Sequence, residues 1–249
     1  MIRDLHRRRG RERRGLALAE GVRLVEEAVA ARIGFRGILV SPALEGTERG
    51  RALKAALART GATMTEATDD ELADLAATEH PQGVISVIEP RRWSLDDIVV
   101  GKRALIVILD ALQDPGNVGT IARTALAFGA TALISLPGTA ELTNPKTLRS
   151  SMGALFRLPA VAATEDRLGP WLESHGVTVA ATSTRGVPFD AAQLPKSVAL
   201  VLGNEGAGLS SELGRNARLQ LSIPLREGAE SLNVAVAAGI LLYGASRDR

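Results

Sequence analysis

Val198-Ala-Leu-Val-Leu-Gly-Asn-Glu-Gly-Ala-Gly-Leu209 decides the fold of the second half of this chain. Five apolar residues run into a cluster of glycines, the pattern of a strand covered on both faces that ends in a loop of close backbone approach. Ala104-Leu-Ile-Val-Ile-Leu109 is a second continuous apolar run of the same kind. Further strands are expected near Ala132–Leu136, Val177–Ala181 and Leu219–Ile223. Helices fill the gaps, including one with Asn144 as N-cap and Pro145 at its first position, and a last helix over about Ser231–Ala245. Strands alternating with helices indicate an α/β domain with a mainly parallel sheet.

Residues 1–89 read as a separate small α/β unit. A helical stretch over about Leu16–Arg32 places Leu24, Val25, Ala28 and Val29 on one face, and Gly37–Val40 follows as a buried strand. Helical patterns at Glu48–Arg59 and Asp69–Ala77 then alternate with strands near Ala62–Thr65 and Val84–Ile88. Pro90-Arg-Arg-Trp-Ser-Leu-Asp-Asp-Ile98 lacks a strong period and reads as a linker, leaving 99–249 as the second domain.

At 249 residues and 45% hydrophobic content the chain can bury a real core. The absence of cysteine excludes disulfides, thiolate metal sites and a cysteine nucleophile. His6, His80 and His175 are too scattered for a metal motif, so no metal is expected. The charged N-terminus lacks a following apolar run, and Val234–Ala245 is too short to span a bilayer, so a cytoplasmic protein with no membrane contact is expected. The formal net charge is only +2, but residues 1–14 hold Arg3, Arg7, Arg8, Arg9, Arg11, Arg13 and Arg14 against Asp4 and Glu12. Such a run attracts a phosphate backbone, the plainer alternative being a solvated tail. With 3% aromatic residues, recognition by stacked rings is not expected.

Three loops carry the chemistry. After Leu202, the glycines from Gly203 onward let backbone groups approach a ligand with no Cβ in the way, and Ile223-Pro224-Leu225 adds apolar contacts and a rigid turn at the next strand end. Ser231-Leu-Asn233 opens the last helix, with Ser231 a natural cap. Asn233 reads as an amide inside an apolar helix that must find partners, for shaping a site or for structure alone. Asp114-Pro-Gly-Asn117 turns into a helix whose N-terminus offers donors to an anion, with Arg123 six residues beyond Asn117.

In this order, Asp114–Thr124, Leu202–Leu209 and Ile223–Val234 closely resemble the three motifs of the SpoU (TrmH-like) family of RNA ribose 2′-O-methyltransferases, within the trefoil-knotted SPOUT class. The resemblance implies that the chain after Leu202 threads a loop to form a knot, against the general rule. It also implies S-adenosylmethionine as cofactor, held by Gly203, Ile223 and Leu232 with Thr182, Leu202, Asn204 and Leu225 beside them. Asn117, Arg123, Glu205, Ser231 and Asn233 match the catalytic positions. In the family the arginine has been proposed to deprotonate the ribose hydroxyl. A guanidinium with a pKa above about 12 is better suited to clamp the RNA phosphate, with Glu205 as proton acceptor.

Segments Glu20–Ala28 and Thr78–Val84 resemble the small L30e-like substrate-binding domain that precedes many SpoU catalytic domains. Asn144–Pro159 resembles the stretch with substrate-facing residues, here Lys146, Arg149, Ser150 and Arg157, which join Arg7, Arg8, Arg9 and Arg11 as RNA-binding candidates. The resemblance implies a homodimer, with the final helix and Gly239 as part of the interface. The preceding domain favours 23S ribosomal RNA as substrate. Transfer RNA is the alternative within the class, and a non-catalytic RNA-binding or ribosome-assembly factor the alternative outside it.

Overall fold

A computed structural model describes residues 1–204, 208–228 and 231–247, with the side chains of 184 and 185 excepted. In chain order the elements are α1 (Ile2–Leu5), α2 (Arg8–Arg14), β1 (Ala17–Glu20), α3 (Val22–Ala30), β2 (Gly34–Val40), α4 (Glu48–Ala58), β3 (Met64–Glu66), α5 (Asp69–Ala73) and β4 (Val84–Glu89). They continue with β5 (Leu105–Leu109), α6 (Pro115–Ala127), β6 (Ala132–Ser135), α7 (Pro145–Ser151), β7 (Ala160–Ala162), α8 (Glu165–Ser174) and β8 (Thr178–Pro188). The last are β9 (Val198–Leu202), α9 (Glu212–Arg215), β10 (Leu219–Ser222) and α10 (Val234–Ser246). Contacts divide the chain into Met1–Arg91 with Thr143–Arg157, and Arg92–Leu142 with Leu158–Arg249.

The first unit is built on a four-stranded sheet in the order β1-β4-β2-β3, with β4 antiparallel to both its neighbours. The helix expected from Leu16 begins only at Val22. Ala17-Leu-Ala-Glu20 is a strand paired with Glu20↔Ile85 through Ala17↔Ile88, and all four of its residues are buried. A segment buried on both faces shows no helical stripe, and Gly21, at φ 92, breaks the chain before the helix.

The arginine-rich start is folded. Leu5 is fully buried among Leu18, Leu72, Ile85 and Val87. Arg11, expected to face RNA, is 3% exposed and donates to the carbonyls of Leu5 and His6 at 2.9 and 2.8 Å. It caps the turn between α1 and α2. Arg14 and Arg13 bind Asp4 at 2.6 and 2.9 Å, and the Arg14 hydrogen bond is the main reason the Asp4 carboxyl titrates below its ordinary value.

Residues 143–157, expected within the second domain, pack in the first unit. Asn144 caps α7 as expected, its side chain accepting from the Lys146 N–H at 2.8 Å. Gly153, at φ 84, leaves no room for a Cβ, which would lie 2.4 Å from Cβ of Glu27. Arg157 pairs with Glu27 at 2.6 Å, and Arg149 lies 3.9 Å from the buried Glu20 carboxylate.

The second unit holds a six-stranded sheet in the order β10-β8-β9-β5-β6-β7, every pairing parallel. Every residue of β5 and β9 is buried, as the two continuous apolar runs require. The expected linker belongs partly to this core: Leu95 and Ile98 are buried against Ile106, Ile108 and Val201. β8 runs well past its expected end at Ala181. Its pairing with β10 jumps from Gln220↔Ala181 to Leu221↔Val187, so 182–186 bulge out of the ladder. No helix among the described residues is long and apolar enough to cross a membrane.

Leu5→Ala should destabilise the protein by about 2–5 kcal/mol, the usual cost of emptying a fully buried leucine site. Urea unfolding followed by circular dichroism measures it. A loss below about 1 kcal/mol would show that α1 is a loosely attached tail.

Candidate active site

A cavity of about 510 Å³ opens at the carboxyl ends of β9 and β10, beside the point in β8 where its register shifts, the end of a parallel sheet where ligands bind. A larger hollow of about 810 Å³ lies at the amino end of β8, under Glu165, Asp166, Glu173 and Glu212. It contains no motif residue, so size is a poor guide here. The smaller cavity has an apolar floor that includes Leu221, Ile223, Leu232, Val234 and Leu241, and a polar rim with Thr182, Asn204, Ser222 and Ser231. Six of the seven expected cofactor residues line it: Thr182, Gly203, Asn204, Ile223, Leu225 and Leu232. Leu202 does not. It is 1% exposed inside β9, and its carbonyl accepts from the Asp110 N–H at 2.9 Å.

Glycine is required at position 203 for a reason the sequence did not show. A Cβ there would lie 2.7 Å from the Gly208 carbonyl oxygen, because Asn204 and Gly208 exchange two backbone hydrogen bonds of 2.9 Å. The close approach here is loop against loop. Asn204 Nδ2 donates to the Ala111 carbonyl at 3.3 Å. Glu205 lies outside the described residues.

Asn233 is not inside the last helix. It is the exposed N-cap of α10, its Oδ1 accepting from the N–H groups of Ala235 and Val236 at 2.9 and 3.4 Å. Ser231, the expected cap, instead stands on the cavity rim. The Asn233 amide donates to Asn117 Oδ1 at 3.2 Å, joining two motifs 116 residues apart. Asn117 sits in the first turn of α6, which Asp114 caps by accepting from Gly116 N–H at 3.0 Å.

Arg123 is exposed on α6, does not line the cavity, and makes no ion pair or hydrogen bond among the described residues. Lys146 is exposed on α7, whereas the Ser150 hydroxyl donates to the Lys146 carbonyl at 2.8 Å. Arg149 and Arg157 are engaged by Glu20 and Glu27, and Arg8 by Glu12 at 2.7 Å. Arg7 and Arg9 are exposed.

Sequence reasoning missed Ser183, Ser222, Ala237 and Leu241 in the cavity wall. It also missed Asp110, 1% exposed, which accepts from the N–H groups of Ser210 and Ser211 and from both serine hydroxyls. An aspartate directly after a fully apolar strand was the available signal, since such a charge needs partners.

The profile of the SpoU rRNA Methylase family matches residues 104–243, and that of the MRM3-like substrate binding domain matches residues 1–86. The 23S rRNA (guanosine(2553)-2′-O)-methyltransferase RlmP of Bacillus subtilis is 36% identical over 240 residues, covering 96% of this chain and 92% of its own. The crystal structure of the SpoU methyltransferase AviRb from Streptomyces viridochromogenes, in complex with the cofactor AdoMet, superposes with a TM-score of 0.89. It is 32% identical over 99% of this chain and 95% of that one. A structure described as giving insight into 2′-OH methylation of C/U34 on tRNA is 31% identical with a TM-score of 0.51. It covers 97% of that chain but 59% of this one.

Asn233→Ala should lower stability by about 1 kcal/mol, because the cap is lost, whereas Asn233→Asp keeps a capping oxygen and should stay within a few tenths. Chemical denaturation of both variants checks this. Equal losses for Ala and Asp would move the stabilising role from the cap to the Asn117 contact.

Proposed function

Because the chain belongs to the SpoU rRNA methylase family, we propose that it methylates a ribose 2′-hydroxyl of 23S ribosomal RNA with S-adenosylmethionine. The observation that carries the reading is the convergence of Gly203, Asn204, Ile223, Leu225 and Leu232, drawn from two separate motifs, on one cavity. The cavity suits the cofactor chemically. Its volume lies in the range of small-molecule sites, its apolar floor accommodates a purine, and its rim hydroxyls and amide suit a ribose and an amino acid. Thr182 holds its wall by donating to the Val201 carbonyl at 3.1 Å.

The bound cofactor supplies a methyl group already activated on a sulfonium, so no metal is required and the protein's task is alignment and exclusion of water. Asn233 and Asn117 fix the entry of α10 against the first turn of α6 at the cavity edge. Arg123, exposed and uncommitted among the described residues, is assigned as the clamp on the RNA phosphate. Glu205 is assigned as the acceptor of the hydroxyl proton.

The substrate-binding domain at residues 1–86 supports ribosomal over transfer RNA, since the tRNA-related structure covers only 59% of this chain. Of the RNA-binding candidates Arg7, Arg9 and Lys146 are exposed, whereas Arg11 is buried and Arg8, Arg149 and Arg157 face carboxylates. A homodimer is supported by Val236, Ile240 and Tyr243, which form one apolar stripe on α10 at 52, 42 and 55% exposure. Gly239 flanks that stripe, three residues after Val236 and four before Tyr243, and a Cβ added there would lie 4.0 Å from the Thr124 side chain of α6. A cytoplasmic location accords with the RNA substrate.

The full chain should bind S-adenosylhomocysteine in calorimetry without RNA, and mass mapping of 23S RNA from a deletion strain should lose one 2′-O-methyl group. No binding at millimolar ligand together with an unchanged RNA map would sink the reading. Arg123→Lys should lose roughly a hundredfold in single-turnover rate at every pH while cofactor affinity holds, because a lysine cannot reproduce the two-donor fork. Substantial activity rising toward alkaline pH would instead make the arginine the base. Glu205→Gln should remove the acidic limb of the pH profile.

A further inference from the structure

The loop from Gly203 to Leu209 forms one wall of the cofactor cavity, yet among its described residues it has no regular structure beyond the Asn204–Gly208 bridge. Something outside the loop must fix it. Asp110, the first residue after β5, accepts from the backbone N–H groups of Ser210 and Ser211 at 2.8 Å each, from the Ser211 hydroxyl at 2.8 Å, and from the Ser210 hydroxyl. Four donors saturate a carboxylate, and no ion pair to it occurs among the described residues. Ser211 in turn accepts from the Gly214 N–H at 3.1 Å, so its hydroxyl is committed in both directions. The adjoining Ala111, at φ 55, offers its carbonyl to the Asn204 amide. Both ends of the loop are therefore pinned to one corner, residues 110–111. The same corner leads into α6, which carries Asn117 and Arg123.

We propose that Asp110 is a positioning residue for the methyl-transfer site, holding the cofactor-facing loop in its binding geometry and in register with α6. The inference rests on the methyltransferase reading. Asp110 does not line the cavity, and it acts through the two serines on the adjoining Gly208 and Leu209, which do. An asparagine would turn an NH₂ donor toward groups that are themselves donors, so the loop would detach rather than shift. Ser210→Ala removes a single donor from an exposed residue and leaves both backbone bonds in place.

The test uses full-length protein, S-adenosylhomocysteine titration, steady-state kinetics and thermal unfolding. Asp110→Asn should raise Kd and the KM for S-adenosylmethionine by at least about tenfold, and Ser210→Ala by a few-fold. At saturating cofactor, kcat and the KM for RNA should stay near wild type for Ser210→Ala, with Tm unchanged. A merely structural role would do the reverse, lowering kcat with the fraction of folded enzyme and leaving the KM for cofactor alone. If Asp110→Asn does not fold, Ser210→Ala decides. Wild-type cofactor affinity in the folded variants would overturn this inference alone; a wild-type protein without affinity for S-adenosylhomocysteine would overturn the cofactor reading and this inference with it.

Discussion

A parallel sheet covered on both faces has no place for polar side chains except at the ends of its strands. That constraint governs the second unit. β5 and β9 lie side by side with ten buried apolar residues between them, and chemistry begins at the first residue beyond each. Asp110 follows β5 and Gly203 follows β9. Because the strands are parallel and in register, Leu109 opposite Leu202, both residues emerge at the same level. The carboxylate that must be satisfied and the loop that must be held are neighbours by strand register, and each answers the other's requirement.

The same logic explains which parts of the fold could be read from residues. β5 and β9 were legible because a long apolar run has few alternatives. The α7 start was legible because Asn144 and Pro145 act within one helical turn. Ala17–Glu20 was not, since burial of both faces erases the alternation that marks a strand and leaves an alanine-rich segment that favours helix on propensity alone. The bulge in β8 was hidden because nothing in Thr182–Gly186 signals that β10 will resume its pairing at Val187. Of the site, the cavity wall was legible through its glycines and apolar strand ends. The Asn233–Asn117 contact and the Asp110 cluster join residues about 100 or more apart, and no local pattern encodes such a distance.

Charge was the least transparent property. A count of arginines in residues 1–14 suggests a free basic arm, but Arg11 is consumed by carbonyl groups inside the fold and Arg13 and Arg14 by Asp4. Arg149 and Arg157, on a segment far along the chain, meet Glu20 and Glu27 of the same unit. Ion pairs with exposed guanidinium groups, such as Arg13 with Asp4 and Arg157 with Glu27, contribute little to stability. Their larger effect is to reduce the field available to a polyanion, so the electrostatic footprint is smaller than the sequence charge implies.

The β8 bulge has an evolutionary consequence. Residues 178–181 are held in register by β9, and residues 187–188 by β10, while 182–186 belong to neither ladder. A one-residue insertion inside a paired strand would reverse the facing of every side chain beyond it. Within the bulge the same insertion is absorbed, because the strand on each side keeps its own partner. Thr182 and Ser183 sit in this segment, so the wall of the cavity can gain or lose length among descendants while the sheet beneath it stays the same.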